Sequence, residues 1–415
     1  MSRRRSTHRD LASVKSVIRV LFGEPIWFWQ SASSLQAHVC TVLQMAETVE
    51  LTVGPLAAGG DALARDADGR VIFVSGALPA ERVEVAILKA KKDFATAEVV
   101  RVIEASPHRR EPPCIHFRNG CGGCQWQHAT EDTQRAAKIA IVEESLRRLG
   151  HIEVPVRDGG SVDPWAYRTT IRVTGDEHHR PSYRCRGGNE LVAVDSCLIA
   201  HERISKELAG LEVLDEFQLR VSDTEGSLNS DVQFEEVCGL RFRVSASSFF
   251  QSGRQAAVLL AETVDSAVGD ALVDGAALLD LYAGVGILGA VAASRRRDVK
   301  LTAVESSNVA VRDARKNLAQ FNSQVVQTEV MHFRPERHYD LVIADPARPG
   351  LGKAVVARLV AMAPSRIVLV SCDPASLARD ARLLIDSGYR LASVTAIDLF
   401  PQTSHVEAVT VFDRQ

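Results

Sequence analysis

Two side chains near the carboxyl end of the sequence are of types that could perform covalent catalysis. Cys372 follows the apolar run 367–370, and the next two residues, Asp373 and Pro374, are typical of a helix N-cap and first helical position. A thiol at a helix N-terminus is expected to have a lowered pKa, which favours a nucleophile over the alternative of an ordinary buried cysteine. Glu407 enters the last apolar run and is a candidate general base, although an acidic residue in such a position is otherwise usually exposed.

A glycine turn predicts a crevice that binds a nucleoside. The apolar run 276–281 leads into a Gly-x-Gly turn at residues 284–286, and such turns let a ligand approach the backbone at the carboxyl end of a strand. Glu305 ends the next apolar run and could bind both hydroxyls of a ribose. Leu288 stands where a dinucleotide fingerprint has its third glycine, which favours S-adenosylmethionine over NAD; a βαβ unit without catalytic role is the third possibility. Asp345 ends a later run and could accept hydrogen bonds from a base edge or from the cofactor.

Three clustered cysteines favour metal binding. Cys114, Cys121 and Cys124 are separated by six and two residues. Cys197 is the expected fourth ligand, with Cys185 as a nearby alternative. Four thiolates suit zinc or an iron–sulfur cluster, and spacing alone does not choose between them. Three unrelated core cysteines are the other interpretation, which the sequence Cys-Gly-Gly-Cys disfavours.

The order of the predicted helices and strands that position these residues indicates an α/β protein with three parts. Apolar runs alternate with helical stretches over residues 248–415, which predicts a doubly wound, largely parallel, Rossmann-like sheet. Short alternating runs and glycine turns over residues 46–105 predict a small five-stranded β-barrel. Residues 106–247 are expected to form a central mixed domain with the cysteine cluster and a helix near 131–149. Residues 1–44 show no sustained period; we favour a poorly ordered extension over a partner-binding arm. The apolar runs of the C-terminal part are 276–281, 299–304, 340–344, 366–371, 391–397 and 406–412.

Composition excludes several classes of protein. The 415 residues carry 49 Lys and Arg against 52 Asp and Glu, a formal net charge of -3, and 46% are hydrophobic. These values exclude collagen-like, low-complexity and mostly disordered chains. The near-neutral balance gives no whole-chain signal for nucleic-acid binding, so any basic surface must be local. No uncharged apolar run approaches the roughly 18 residues of a membrane-spanning helix, and we expect a cytoplasmic monomer without a membrane partner.

Taken together, these motifs resemble the uridine-C5 RNA methyltransferases of the TrmA/RumA type over most of residues 46–415. The Gly-x-Gly turn alone is weakly specific, whereas the order and spacing of the last two motifs are specific. The matching segments are the glycine-rich barrel pattern of a TRAM domain, Cys114…Cys121-Gly-Gly-Cys124, Ser248-Phe-Phe-Gln251, Asp280-Leu-Tyr-Ala-Gly-Val-Gly286, Asp345-Pro-Ala-Arg348, Ser371-Cys-Asp-Pro374 and Phe400-Pro-Gln-Thr-Ser-His-Val-Glu407.

The resemblance implies a reaction and its residues. Cys372 matches the nucleophile that bonds to C6 of the target uridine, and Glu407 matches the acceptor of the C5 proton. Ile287 stands where some members carry a polar cofactor contact, and Ala283 replaces a frequent cysteine. Four further residues match those around S-adenosylmethionine and the target base: Gln251, Tyr282, Glu305 and Asp345.

The resemblance also implies a metal centre and a partner. The four cysteines that match ligands of a [4Fe-4S] cluster are Cys114, Cys121, Cys124 and Cys197. The implied partner is RNA, either transfer RNA or large-subunit ribosomal RNA, bound in part by the TRAM barrel. The resemblance alone does not choose between the two RNAs.

Two other classes of function compete with this interpretation. A non-catalytic RNA-binding protein on the same scaffold would leave Cys372, Asp345 and Glu407 unexplained. An iron–sulfur redox enzyme would leave the glycine turn and the Cys372–Glu407 pair unexplained.

Overall fold

Five strands near the start of the computed structural model form one sheet. The structure describes residues 48–415, and the expectation for residues 1–44 lies outside them. The strands are β1 (Thr48–Thr52), β2 (Ala62–Arg65), β3 (Val71–Ser75), β4 (Arg82–Ala90) and β5 (Phe94–Glu104). Their order is β1-β4-β5-β3-β2, with β3 and β5 parallel and the other neighbours antiparallel. Alternate side chains of β3 are buried, as a pleated strand requires. The predicted small all-β unit is therefore present.

The next part of the chain combines short strands with the 20-residue helix α2. Its elements are α1 (Ile115–Arg118), α2 (Glu131–Gly150), β6 (Val156–Ser161), β7 (Thr170–Gly175), β8 (Pro181–Arg184), β9 (Leu191–Ala193), α3 (Glu202–Leu208), β10 (Glu216–Arg220), β11 (Val232–Val237) and β12 (Leu240–Ser245). Four of the strands form a sheet of order β10-β7-β8-β9, and β11 pairs with β12. None of the described helices is long and apolar enough to cross a membrane.

Helices and strands alternate through the remainder of the chain. The elements are α4 (Arg254–Val268), a 3₁₀ turn (Gly269–Ala271), β13 (Ala277–Leu281), α5 (Ile287–Ser294), β14 (Lys300–Glu305), α6 (Asn308–Asn317), β15 (Ser323–Gln327), a second 3₁₀ turn (Val330–His332), β16 (Leu341–Ala344), α7 (Gly352–Met362), β17 (Arg366–Ser371), α8 (Pro374–Asp386), β18 (Tyr389–Asp398) and β19 (Glu407–Arg414). All six strands predicted for this part are present.

Eight strands form the large sheet, in the order β15-β14-β13-β16-β17-β19-β18-β6. Neighbours are parallel except where β19 pairs with β17 and with β18. Strands β13 and β16 are buried along their whole length, as expected of parallel strands with both faces covered. The predicted doubly wound, largely parallel sheet is confirmed.

Two strands of this sheet are not among the six apolar runs predicted for it. Strand β15 is a partly exposed edge strand with Ser323, Gln324 and Gln327, so its apolar run is too short to recognise. Strand β6 comes from the central segment and pairs with β18 in parallel. The central segment thus contributes a strand to the C-terminal sheet, and Ala46–Gln415 forms one compact unit.

Candidate active site at the carboxyl edge of the sheet

The order of strands brings three predicted site residues to one edge. Asp345 follows β16, and Cys372 follows β17, its parallel neighbour. Glu407 is the first residue of β19, which pairs with β17 in the antiparallel sense, with Ser371 opposite Ala408. The residue after Ser371 and the residue before Ala408 therefore lie side by side, so Cys372 and Glu407 meet beside Asp345.

The turn that carries Cys372 forms as its sequence predicts. Asp373 is the N-cap of α8, and its side chain accepts a hydrogen bond from the backbone N–H of Ser376 at 2.7 Å. Pro374 is the first helical residue. Cys372 thus sits between a buried strand and a capped helix, with its side chain partly exposed.

The pKa of Cys372 is opposite in direction to the sequence-based expectation. Burial raises the pKa of this thiol to about 11, and the carboxyl groups of Glu407 and Asp345 raise it further. The Arg348 guanidinium acts in the other direction, but more weakly. The prediction that the helix N-terminus leaves this thiol with a lowered pKa is therefore wrong, because loss of water and two acidic neighbours outweigh the favourable charges.

Glu407 is buried beside a second carboxyl group. Its side chain is only 5% exposed, and its Oε1 atom has no hydrogen-bond partner among the described residues. Burial and the neighbouring Asp345 raise the pKa of Glu407 well above its usual range. Burial also raises the pKa of Asp345, to about 7. Both carboxyl groups therefore hold their protons to a higher pH than an exposed carboxyl group does.

A cleft next to these groups collects the predicted cofactor residues. The residues that line it include Gln251, Tyr282, Asp345 and Ile287. Ile287 stands where the resemblance implies a polar contact with the cofactor. Three backbone positions in the turn after β13 have positive φ: Tyr282 (61°), Gly284 (55°) and Gly286 (92°). A left-handed conformation is uncommon for a residue with a Cβ atom, and such strain is concentrated at functional sites.

Glu305 lies beside the turn rather than on the lining of the cleft. Its Oε2 atom accepts a hydrogen bond from the backbone N–H of Gly284 at 2.9 Å. Its Oε1 atom accepts from the backbone N–H groups of Ser306 and Ser307 at 2.8 and 2.7 Å. A carboxylate has lone pairs beyond these three bonds, so the side chain holds the turn and retains capacity for a ligand hydroxyl.

Asp280 is the first residue of the glycine motif quoted above, and the sequence alone assigned no role to it. It lies in the middle of buried β13, and its Oδ2 atom accepts a hydrogen bond from the backbone N–H of Gly289 at 3.0 Å. A Cβ atom on Gly289 would lie 2.7 Å from that oxygen, so helix α5 approaches the strand only because this residue is glycine. An acidic residue inside an apolar strand was the available signal.

Asp313 is a second residue that was not selected. From helix α6 it accepts hydrogen bonds from the backbone N–H of Ser245 at 2.7 Å and from the hydroxyl of Ser248 at 2.6 Å. These bonds fix the segment that leads to Gln251. Nothing in the sequence indicates this contact, because Asp313 lies more than sixty residues after both serines.

Four cysteines line one cavity in the central segment. Cys114 is the N-cap of α1, Cys121 and Cys124 follow, and Cys197 reaches the same cavity from the turn after β9. Burial raises the pKa of Cys121 to about 11 and that of Cys124 to about 12, and neighbouring thiols add to both shifts. Cys185 does not line the cavity, so the structure favours Cys197 as the fourth member.

The [4Fe-4S] cluster expected from the sequence is not itself shown by this arrangement. Among residues 48–415, no group of three or more His, Cys, Asp or Glu side chains is arranged to hold a metal ion. The structure does show that the four cysteines line one common cavity.

Three family models match consecutive parts of the chain. The TRAM domain matches residues 44–100, the methyltransferase small domain matches residues 250–369, and tRNA (uracil-5-)-methyltransferase matches residues 333–415. The last of these covers the turn of Cys372 and the strand of Glu407.

Similar proteins extend over nearly the whole chain. A Streptomyces avermitilis protein named as an uncharacterized RNA methyltransferase is 32% identical, over 89% of this chain and 99% of its own. A Gloeobacter violaceus protein with the same description is 31% identical, over 90% and 98%. Among solved structures, the Pyrococcus abyssi tRNA (uracil-54, C5)-methyltransferase in complex with S-adenosyl-L-homocysteine is 22% identical, with a TM-score of 0.69. The match covers 88% of this chain and all of that chain, so the two proteins share a fold.

The raised pKa of Cys372 predicts a pH dependence for its alkylation. Without added ligand, the rate of its reaction with iodoacetamide should rise about tenfold per pH unit between about pH 7 and pH 9, because only the thiolate reacts and the pKa lies above this range. Peptide mass spectrometry separates Cys372 from the other cysteines. A rate that levels off below about pH 8 would show instead that the helix N-terminus lowers the thiol pKa.

Proposed function

This chain belongs to the family of S-adenosylmethionine-dependent uracil-C5 RNA methyltransferases, and from that premise we propose that it methylates C5 of a uridine through a covalent bond between Cys372 and C6 of the base. The observation that carries the proposal is the meeting of Cys372 and Glu407 at adjacent strand ends, beside Asp345. A nucleophile and a base in one buried crevice, next to a cofactor cleft, are the groups that this reaction needs.

The cleft beside β13 fits the methyl donor. S-adenosylmethionine, when bound, supplies an electrophilic methyl group on a positively charged sulfur. Gln251 and Tyr282 line the cleft and would contact it. A Cβ atom on Gly284 would meet no other atom within 4 Å, so the backbone there is open to a ligand. Glu305, held against this turn, would accept hydrogen bonds from ribose hydroxyls.

The covalent step explains why a thiol is required. C5 of uracil is a weak nucleophile toward a methyl group. When the Cys372 thiolate bonds to C6, the electron pair of the C5–C6 double bond moves into an enolate, and C5 becomes nucleophilic enough to take the methyl group. Asp345, at the same edge, would accept or donate a hydrogen bond at the polar edge of the base.

The second half of the reaction needs a base. After methyl transfer, C5 carries both the methyl group and its original proton. Glu407 would accept that proton, the C5–C6 double bond would form again, and the thiolate of Cys372 would leave C6. His405 is the nearby alternative base, and burial together with Arg348 lowers its pKa to about 4, so its ring is neutral and too weak a base for this step.

RNA is the proposed substrate, either transfer RNA or large-subunit ribosomal RNA. The target base must leave its stack to reach a crevice at the edge of the sheet. On the N-terminal sheet, Lys91 lies 5.0 Å above the ring of Phe94, and such aromatic and cationic pairs suit a single-stranded nucleic acid. Mass spectrometry of RNA from a strain without the gene would identify the uridine.

The two competing classes fit the site less well. A non-catalytic RNA-binding protein would have no use for the buried carboxyl group of Glu407 beside the partly buried thiol of Cys372. Burial of two such polar groups raises the free energy of the folded state. A redox enzyme would place its chemistry at the cysteine cavity and would leave the Gln251–Tyr282 cleft without a role.

Cys372→Ala tests the nucleophile. Methylation should fall to background while binding of S-adenosylmethionine, measured by calorimetry, stays near that of the wild type, because the thiol attacks the base and does not hold the donor. RNA with 5-fluorouridine at the target position should form an adduct stable to denaturant with the wild type alone, since fluorine cannot leave C5 as a proton does. An adduct that persists in the alanine variant would assign the nucleophile elsewhere.

Glu407→Gln separates the two halves of the reaction. The rate of turnover should fall by about 10²–10⁴, the usual cost of losing a positioned general base. On unmodified RNA the variant should accumulate a protein–RNA adduct that already contains the methyl group, which gel electrophoresis with a radiolabelled donor would detect. Turnover at the wild-type rate would mean that another group, such as a water held by Asp345, is the base.

We propose, in addition, that the cysteine cavity holds a [4Fe-4S] cluster. In such a cluster each thiolate binds a different iron ion, so the sulfur ligands stand further apart than around one metal ion. The four cysteines that line one cavity supply the ligand set that such a cluster needs, and the family resemblance given above favours the cluster over zinc. The proposed ligands are Cys114, Cys121, Cys124 and Cys197.

The cluster has a test with a matched control. Protein purified without oxygen should be brown and contain about four iron and four sulfide ions per chain. Cys197→Ala, on the cavity, should lower the iron content, whereas Cys185→Ala, off the cavity, should leave it unchanged. Zinc without iron in the wild type would exclude the cluster and leave the methyltransferase proposal intact.

A further inference from the structure

One face of helix α2 holds the loop that leads to Glu407. Gln134 and Lys138 are one helical turn apart, and each is 1% exposed. Both contact residues more than 250 positions later in the chain, at the end of β18 and in the loop that follows it. Buried polar side chains of this kind are costly unless they are fully paired, so their partners matter.

Lys138 fixes the start of this loop. Its Nζ atom donates to Oδ1 of Asp398 at 2.5 Å and to the backbone carbonyl of Phe400 at 3.0 Å. Asp398 is itself 4% exposed, so the pair is shielded from water and from salt. The ammonium also lies 5.8 Å above the ring of Trp126.

Gln402 fixes the middle of the loop. It is fully buried, and its φ of 68° is left-handed, although it is not a glycine. Its backbone N–H donates to Oε1 of Gln134 at 2.7 Å, and its Oε1 accepts from Nε2 of Gln134 at 3.0 Å. Its Oε1 also accepts from Nη2 of Arg110, and its backbone carbonyl accepts from the N–H groups of Gln125 and Trp126, all at 3.0 Å.

The last contact of the loop with this segment is at Ser404, three residues before Glu407, where the backbone N–H donates to Oε1 of Gln125 at 3.3 Å. The carboxyl group of Glu407 lacks comparable support. Strand pairing fixes the backbone of Glu407, but its Oε1 atom has no hydrogen-bond partner among the described residues. The direction in which the chain enters β19 therefore sets where the carboxyl group lies. A displacement of about 1 Å at a reacting group can cost about a hundredfold in rate.

We propose that Gln134, together with Gln402, is a positioning residue that holds Glu407 within reach of the C5 proton. The proposal rests on the role of Glu407 given above. It accounts for the left-handed backbone at Gln402, since a strained conformation persists only where surrounding contacts over-determine it. It also predicts which step fails when the contacts are removed: release of the product, rather than binding or methyl transfer.

Gln134→Met tests the proposal, because methionine keeps the volume and removes every hydrogen bond of the side chain. The turnover number should fall about ten- to a hundredfold at an unchanged KM for S-adenosylmethionine. The methylated protein–RNA adduct should accumulate, as expected for Glu407→Gln. A role confined to stability would not produce this adduct.

Tyr389→Phe is the matched control. Tyr389 lies at the opposite end of β18, is buried, and donates one hydrogen bond to the carbonyl of Pro364 at 2.9 Å. The Tyr389→Phe variant should have a lower melting temperature than the wild type and should not accumulate the adduct. Arg110→Lys, at a partly exposed position, retains the charge and loses the forked contacts to Gln402 and Glu131. The Arg110→Lys variant should accumulate the adduct to a smaller extent than Gln134→Met. If Gln134→Met does not fold, Arg110→Lys tests the positioning role in its place.

Three results would overturn the inference. The first is that Gln134→Met turns over at the rate of Tyr389→Phe, and the second is that it loses turnover without accumulating the adduct. Either result would mean that the contacts of Gln134 only stabilise the fold. Glu407→Gln could itself form no adduct; that outcome would remove the role of Glu407 and the inference with it. The first two results leave the proposed function standing, so the two failures are distinguishable.

Discussion

The antiparallel pairing of β19 with β17 is the constraint on which the candidate site depends. In a wholly parallel sheet, the first residue of each strand lies at the opposite edge from the carboxyl ends of its neighbours. Because β19 runs in reverse, its first residue, Glu407, lies at the edge where β16 and β17 end, beside Asp345 and Cys372. The hairpin between β18 and β19 supplies this reversal. Helix α2 and the residues that follow Cys124 hold the loop of the hairpin in place.

The same packing that brings Cys372, Asp345 and Glu407 together also disfavours their ionised forms. Burial raises the pKa of all three groups, Asp345 raises that of Glu407 further, and both carboxyl groups raise that of Cys372. The site as described is therefore a poor place for a thiolate. A sulfonium ion in the adjacent cleft would bring the opposite charge, which favours ionised carboxyl and thiol groups nearby.

Local signals account for what the sequence predicted correctly. The N-cap at Asp373, the glycine turn after β13 and the apolar runs of six strands depend on neighbouring residues, and all are present. Quantities set by distant parts of the chain were not predictable. The thiol pKa of Cys372 depends on burial among three strands, the edge strand β15 has too few apolar residues, and the contacts of Gln134 span 268 positions.

The backbone joins the cysteine cavity to the loop that leads to Glu407. Cys124 lines the cavity, and the next two residues, Gln125 and Trp126, donate their N–H groups to the carbonyl of Gln402. The indole of Trp126 also donates to the carbonyl of Gly60, in the N-terminal sheet, at 2.8 Å. One short segment thus connects the N-terminal sheet, the cysteines and the loop that leads to Glu407. The proposed metal cluster, held in part by Cys124, would therefore stabilise this junction and with it the loop that leads to Glu407.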